Sequence, residues 1–144
     1  MAGTNLIVID ASVALKWFLI EPDSEKALLF RSELNFHYIP LVPSLFYYEI
    51  CNVLRYKKEF GIRDVEKAIE SLDKFQFKFE EFKGEFARKT IEIAYAHGIT
   101  IYDASYVALA EIAGAELITA DEKLFKKASE RNIILLSQWS QKDR

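Results

Sequence analysis

The sequence predicts an α/β fold built on a mainly parallel sheet flanked by helices. Short apolar runs such as Leu6-Ile7-Val8-Ile9 and Leu117-Ile118-Thr119-Ala120 alternate with stretches of helical character, and no linker or low-complexity block interrupts them. Continuous apolar strands suit a sheet covered on both faces, and strands alternating with helices imply parallel pairing. Residues 1–144 are read as one domain, long enough to bury a core.

Each element has a local reason. Asn5 to Ile9 is short and β-branched, a buried strand. A helix follows at once from Ala11 to Phe18, and Pro22 opens a second, Asp23 to Leu34, at a position where its missing amide is harmless. Pro40 and Pro43 confine a strand at Ile39 to Val42 to a few residues. A helix from Ser44 to Phe60 is expected to stop at Gly61, and another covers Asp64 to Lys74. Phe75, Phe77 and Phe79 alternate with polar residues as in a half-buried strand. The helix Glu85 to His97 ends at Gly98, and after Ile99-Thr100-Ile101 comes a helix from Asp103 to Ala113 whose small residues permit close approach to a sheet. Glu116 to Ala120 and Asn132 to Leu136 read as the last strands, separated by the helix Asp121 to Arg131.

Composition narrows the class. Hydrophobic content of 51% with 28% charged residues describes a soluble globular chain, and no apolar run approaches the ~18 residues a membrane span needs. No basic segment leads into an apolar one at the start, and Cys51 is the single cysteine, so a cytoplasmic location without internal disulfides is the expectation. A net charge of -3 argues against gripping nucleic acid with the whole surface, while leaving room for a local basic strip.

The chemistry points to acids. Asp10 closes the first apolar strand and Asp121 follows the fourth, while Glu49 and Asp103 belong to apolar helical stretches between them. Strand ends of an open α/β sheet meet at one crevice. Two carboxylates about 4 Å apart repel by roughly 4 kcal/mol at an effective dielectric of about 20, so such a group demands protons or a cation. The plainer reading of Asp10, Asp103 and Asp121 is N-capping, since each immediately precedes a helical run. Glu49 resists that account. It sits within Phe46-Tyr47-Tyr48-Glu49-Ile50-Cys51-Asn52-Val53-Leu54, where a charge needs a partner: an ion pair with Arg55 or a lysine, or a metal. The four together are what a shared crevice requires and capping alone does not predict.

These residues resemble a family. Val8-Ile9-Asp10-Ala11-Ser12, Glu49 with Asn52-Val53-Leu54-Arg55, Tyr102-Asp103-Ala104-Ser105-Tyr106, and Leu117-Ile118-Thr119-Ala120-Asp121 stand in the order and spacing of a PIN domain, and most resemble the VapC-like toxin branch. The resemblance implies a three-layer sandwich with a central five-stranded parallel sheet, a metal-dependent ribonuclease acting on RNA, a homodimer, and control by an antitoxin protein. PIN domains also serve in RNA processing, and a non-catalytic scaffold that binds RNA or protein is the other alternative. A phosphate-accepting receiver domain fits poorly, because Ile9-Asp10-Ala11 offers one acid where a receiver needs two and Leu135-Leu136-Ser137 offers no lysine.

Residue types choose the metal independently. Carboxylates are hard oxygen donors suited to Mg²⁺ or Mn²⁺, whereas zinc usually takes histidine or cysteine. His97 reads as complementing a helix C-terminus, His37 is isolated, and Cys51 reads as packing. An ion held by Asp10, Glu49, Asp103 and Asp121, with Glu49 as ligand or water-positioning base, would polarise a phosphodiester and acidify bound water. Ser12 and Thr119, each two residues from an acid, are candidates to hydrogen-bond a carboxylate or phosphate. Asn52, one turn from Glu49, is a candidate to orient it. Arg55, Lys57, Lys58, Lys16 and Lys123 are candidate phosphate guides. Tyr47 and Tyr48 are candidates for base stacking, against core packing as the plainer role.

Overall fold

The computed structural model describes residues 5–141. Its centre is a five-stranded sheet of β1 (Asn5–Ile9), β2 (Tyr38–Pro43), β3 (Lys78–Glu80), β4 (Glu116–Thr119) and β5 (Ile133–Leu135), ordered β3-β2-β1-β4-β5. Every neighbouring pair is parallel. Ile7, Val8 and Ile9 of β1 and Leu117 and Ile118 of β4 are wholly buried, as strands covered on both faces must be. The chain builds outward from β1 through β2 to β3, then returns to the other side of β1 for β4 and β5. That reversal opens a crevice beyond the C-terminal ends of β1 and β4.

The connecting helices are α1 (Ala11–Leu15), α2 (Ser24–Arg31), α3 (Leu45–Arg55), α4 (Ile62–Asp73), α5 (Gly84–His97), α6 (Ile101–Ala113) and α7 (Glu122–Lys127), with a 3₁₀ turn at Leu136–Gln138. One group joins α1 to α3 and α3 to α4, and another joins α5 to α6, which lies across β1, β2 and β4. The small residues of α6 allow this: Ala104 through Ala110 are all buried, between the sheet and α5. Among the described residues no helix is long and apolar enough to cross a membrane.

Several elements depart from the sequence expectation. β2 runs six residues despite its two prolines. Pro40 lies before β3 joins at Leu41, and Pro43 lies beyond the part of β2 that pairs with β1, so each missing amide falls where one flank has no partner. The phenylalanine ladder is not one strand: Gln76 takes a left-handed φ of 54° and breaks the alternation. Phe77 is buried against Phe46, Phe75 packs on Trp17, and only Phe79 enters β3, exposed at the sheet edge. α3 ends at Arg55 rather than Phe60, and Gly61 caps the start of α4, its amide donating to Asp64 Oδ2 at 2.8 Å. α1, α2 and α7 are shorter than their helical patterns because turns take over their ends.

Gly98 ends α5 with φ 62° and sets the turn that aims α6 at the crevice. A Cβ built there meets nothing within 4 Å, so the cost of adding one is purely conformational. Gly98→Ala is expected to lower unfolding free energy by about 1 kcal/mol without changing the denaturant m-value, as read by urea titration; an unchanged midpoint would refute the strain assignment.

Candidate metal centre

Asp10 follows β1 directly and starts α1, so the backbone delivers its carboxylate to the mouth of the crevice. It is 5% exposed. Oδ1 accepts from the Ser12 amide at 2.9 Å and from the Ser12 hydroxyl, and Oδ2 accepts from the Thr119 hydroxyl. Each hydroxyl in turn accepts a backbone amide from the far strand end: Ala120 N donates to Ser12 Oγ at 2.9 Å, and Asp121 N to Thr119 Oγ1 at 3.0 Å. Two hydroxyl relays therefore bolt the end of β4 to the acid at the end of β1. Burial pushes the Asp10 carboxyl up to about 7, with Asp103 adding repulsion, against the lowering effect of the hydrogen bonds from Ser12 and Thr119.

The other three acids arrive from separate elements. Asp121 caps α7, Oδ1 accepting from Leu124 N at 3.1 Å. Asp103 is not a cap: Thr100 caps α6, accepting from Asp103 N at 3.0 Å, and Asp103 lies in the first turn. The apolar Ile101 and Tyr102 are already helical, which corrects the expected start at Asp103. Burial raises the Asp103 carboxyl, and Asp121 raises it further; a hydrogen bond from Thr100 and the charge of Lys127 oppose this. Glu49 projects from the middle of α3, half-buried. Among the described residues its partner is neither Arg55 nor a lysine but the hydroxyl of Tyr106, which donates to Oε1 at 2.6 Å. Burial raises the Glu49 carboxyl and Asp103 adds to it, while the Tyr106 bond lowers it.

The structure thus brings the four acids into one electrostatic neighbourhood, Asp103 acting on Asp10 and Glu49, and Asp121 on Asp103. Among the described residues, no three His, Cys, Asp or Glu side chains stand in an arrangement that holds a metal ion. The carboxylates share a field rather than a coordination sphere. Their chemistry still fits a hard divalent cation, because every donor is oxygen and an ion would remove the repulsion and desolvation that raise three of them.

The supporting candidates divide. Ser12 and Thr119 both hold Asp10. Asn52 is exposed on the wall of the cavity that Glu49 also lines, but it is Tyr106 that holds Glu49. Lys16 turns to Glu21 at 3.4 Å, while the charge of Lys127 reaches Asp103. Cys51 is half-buried and lines the cavity rather than the core, its thiol raised by burial. His97 does tie down a helix end, but that of α7: Arg131 Nε donates to its Nε2 at 3.1 Å, and its Nδ1 meets Lys127 O at 2.9 Å. Tyr106 was concealed in the sequence, where a tyrosine on an apolar helix looks like packing; its position one turn after Asp103 was the available signal.

Comparison with known proteins gives the arrangement a family. The PIN domain family model matches residues 7–130. Ribonuclease VapC3 of Pyrobaculum aerophilum is 32% identical over 126 residues, 84% of this chain and 93% of that protein. A toxin-antitoxin complex from Klebsiella pneumoniae aligns with a TM-score of 0.69 at 15% identity, covering 90% of this chain and 97% of that one. VapC20 of Mycobacterium tuberculosis, described as a sarcin-ricin loop cleaving toxin, aligns with a TM-score of 0.68 at 13% identity, covering 85% and 95%. At such low identity the two structures speak for the fold, and with the family match and the ribonuclease relative they lead to one conclusion: the chain belongs to the PIN domain family.

Proposed function

We propose that this protein is a divalent-metal-dependent endoribonuclease, acting as the toxin half of a pair restrained by an antitoxin protein. The observation that supports the reading is the field that links the four acids, Asp103 acting on Asp10 and on Glu49, and Asp121 on Asp103. The ribonuclease relative supports the activity, and the toxin-antitoxin likeness supports the partner. The whole chain, residues 1–144, would work as one PIN-like unit, in the cytoplasm and as a homodimer; the exposed apolar side chains of Phe82, Ile91 and Tyr95 are consistent with a second copy.

Asp10, Glu49, Asp103 and Asp121 would hold Mg²⁺ or Mn²⁺. When bound, such an ion supplies Lewis-acid polarisation of the phosphodiester and a more acidic water. Closing the acids around it calls for side-chain rotation, and Glu49, Asp103 and Asp121 are half-buried rather than enclosed. Asp10 does not need to move, because Ser12 and Thr119 fix both of its oxygens. Tyr106 fixes Oε1 of Glu49 and leaves Oε2 to take a ligand or a proton. A carboxyl raised by burial is a better proton acceptor near neutrality than an ordinary glutamate.

Asp10→Asn and Asp103→Asn are each expected to cut metal-dependent cleavage of single-stranded RNA by about a hundred-fold or more, with circular dichroism unchanged; wild-type cleavage by either purified variant would sink the nuclease reading. Tyr106→Phe keeps the ring and removes the bond to Glu49, so Mn²⁺ affinity should weaken by about ten-fold, measured by titration calorimetry. Unaltered affinity would relegate Tyr106 to packing.

The raised Asp10 carboxyl also makes stability depend on pH. Between the ordinary aspartate value of 3.8 and about 7, the folded, metal-free protein keeps a proton that the unfolded chain has released. Stability therefore falls as pH rises through this window, by up to about 4 kcal/mol for Asp10 alone, and levels off above it. Urea titrations in EDTA from pH 4 to pH 8 should show the decline, Mg²⁺ should reduce it, and Asp10→Asn should make it shallower, leaving the smaller contributions of Glu49 and Asp103. A metal-free curve that rises over this range would contradict the assignment.

A further inference from the structure

α3 has two faces. Phe46, Ile50 and Leu54 recur every fourth residue and are wholly buried. Tyr48, Asn52 and Arg55 recur at i, i+4 and i+7 on the other side, and all three are exposed. They line a cavity of about 670 Å³ together with Glu49 and, from the first turn of α6, Tyr102. That volume falls within the range of about 300–1,000 Å³ usual for small-molecule sites. The cavity reaches the candidate metal centre through Glu49, and each of its tyrosines directly precedes an acid, Tyr48 before Glu49 and Tyr102 before Asp103.

The two adjacent tyrosines of α3 take opposite roles. Tyr47 packs its ring among Phe46, Phe77 and Phe79, with centroids 5.3 to 6.2 Å away. Tyr48 is 75% exposed and Tyr102 is 60% exposed. Large exposed rings beside an acidic centre contribute nothing to the core, and the faces they present suit another flat ring. Arg55 makes no ion pair among the described residues; its guanidinium lies over the Tyr56 ring at 5.2 Å from the centroid, charged and accessible to an anion.

We propose that this cavity is a base subsite: Tyr48 and Tyr102 stack the base of an unpaired RNA nucleotide next to the bond being cut, and Arg55 holds a neighbouring phosphate. Stacking on aromatic rings is tolerant of base identity but requires a base with a free face, which a duplex does not offer. Such a subsite takes an unpaired nucleotide and leaves a paired one outside. This deepens the nuclease reading and rests on it for the placement of the cut.

Steady-state cleavage of a single-stranded RNA oligonucleotide tests the subsite. Tyr48→Ala and Tyr102→Ala are each expected to raise KM by about ten-fold with kcat little changed, and Tyr48→Phe and Tyr102→Phe to retain the wild-type KM. Phe36→Ala, an exposed aromatic residue ahead of β2 and outside this cavity, is the control. An abasic nucleotide beside the cleaved bond should raise KM for the wild type and add nothing further in the double variant Tyr48→Ala/Tyr102→Ala. Unchanged KM in both alanine variants, or equal losses in the phenylalanine variants, would overturn the proposal. Should the wild type cut no RNA with Mg²⁺ or Mn²⁺, the nuclease reading falls separately. Quenching of a 2-aminopurine base in the same oligonucleotide then decides the stacking: quenching by the wild type that is lost in the alanine variants sustains it, and equal or absent quenching overturns it.

Discussion

A buried carboxylate at the junction of two strands is the constraint around which the molecule is arranged. Asp10 could be an ordinary helix cap, and it does accept the Ser12 amide as a cap should. Capping alone does not explain why both its oxygens are enclosed and met by hydroxyls, or why those hydroxyls also bind the amides of Ala120 and Asp121. An acid desolvated this deeply favours its neutral form by itself, and the charge of Asp103 makes the charged form harder still. The same contacts that join β1 to β4 therefore hold an acid where it is electrostatically uncomfortable. Its discomfort is the reason a cation is attractive there.

The packing of α6 extends this logic. Its small residues let it lie across β1, β2 and β4, and that closeness fixes where its first turn ends up. Asp103 joins the acids, Tyr106 reaches across to Glu49 of α3, and Tyr102 faces the cavity, all from one helix and within five residues. The same α6 surface thus serves the core through Ala104, Val107 and Ala108 and the crevice through its N-terminal turn. A helix less rich in alanine would sit farther from the sheet and carry all three side chains away with it.

Much of this was legible in the sequence, for identifiable reasons. Asp10 and Asp121 follow apolar strands, and a parallel sheet brings such ends together regardless of detail. Glu49 stood out because its neighbours are apolar, and Ser12 and Thr119 stood at offsets from which a side chain returns to a carboxylate. What stayed hidden depended on backbone torsions or on distant contacts. Gln76 at positive φ splits an alternating pattern that periodicity reads as one strand. Thr100 takes the capping role that local preference gave to Asp103, because the helix begins two residues earlier than its apolar spacing implies. The partner of Glu49 is a tyrosine 57 residues away, which no local rule connects to it.

That partner has one further property. The Tyr106 phenol is 1% exposed, and burial together with the neighbouring Glu49 charge drives its ionisation far above the ordinary tyrosine range. It consequently keeps its proton near neutrality. Whether Glu49 gains or sheds its own proton, the bond that aims it keeps its donor; orientation is decoupled from acidity, and the carboxylate can exchange a proton without losing its bearing.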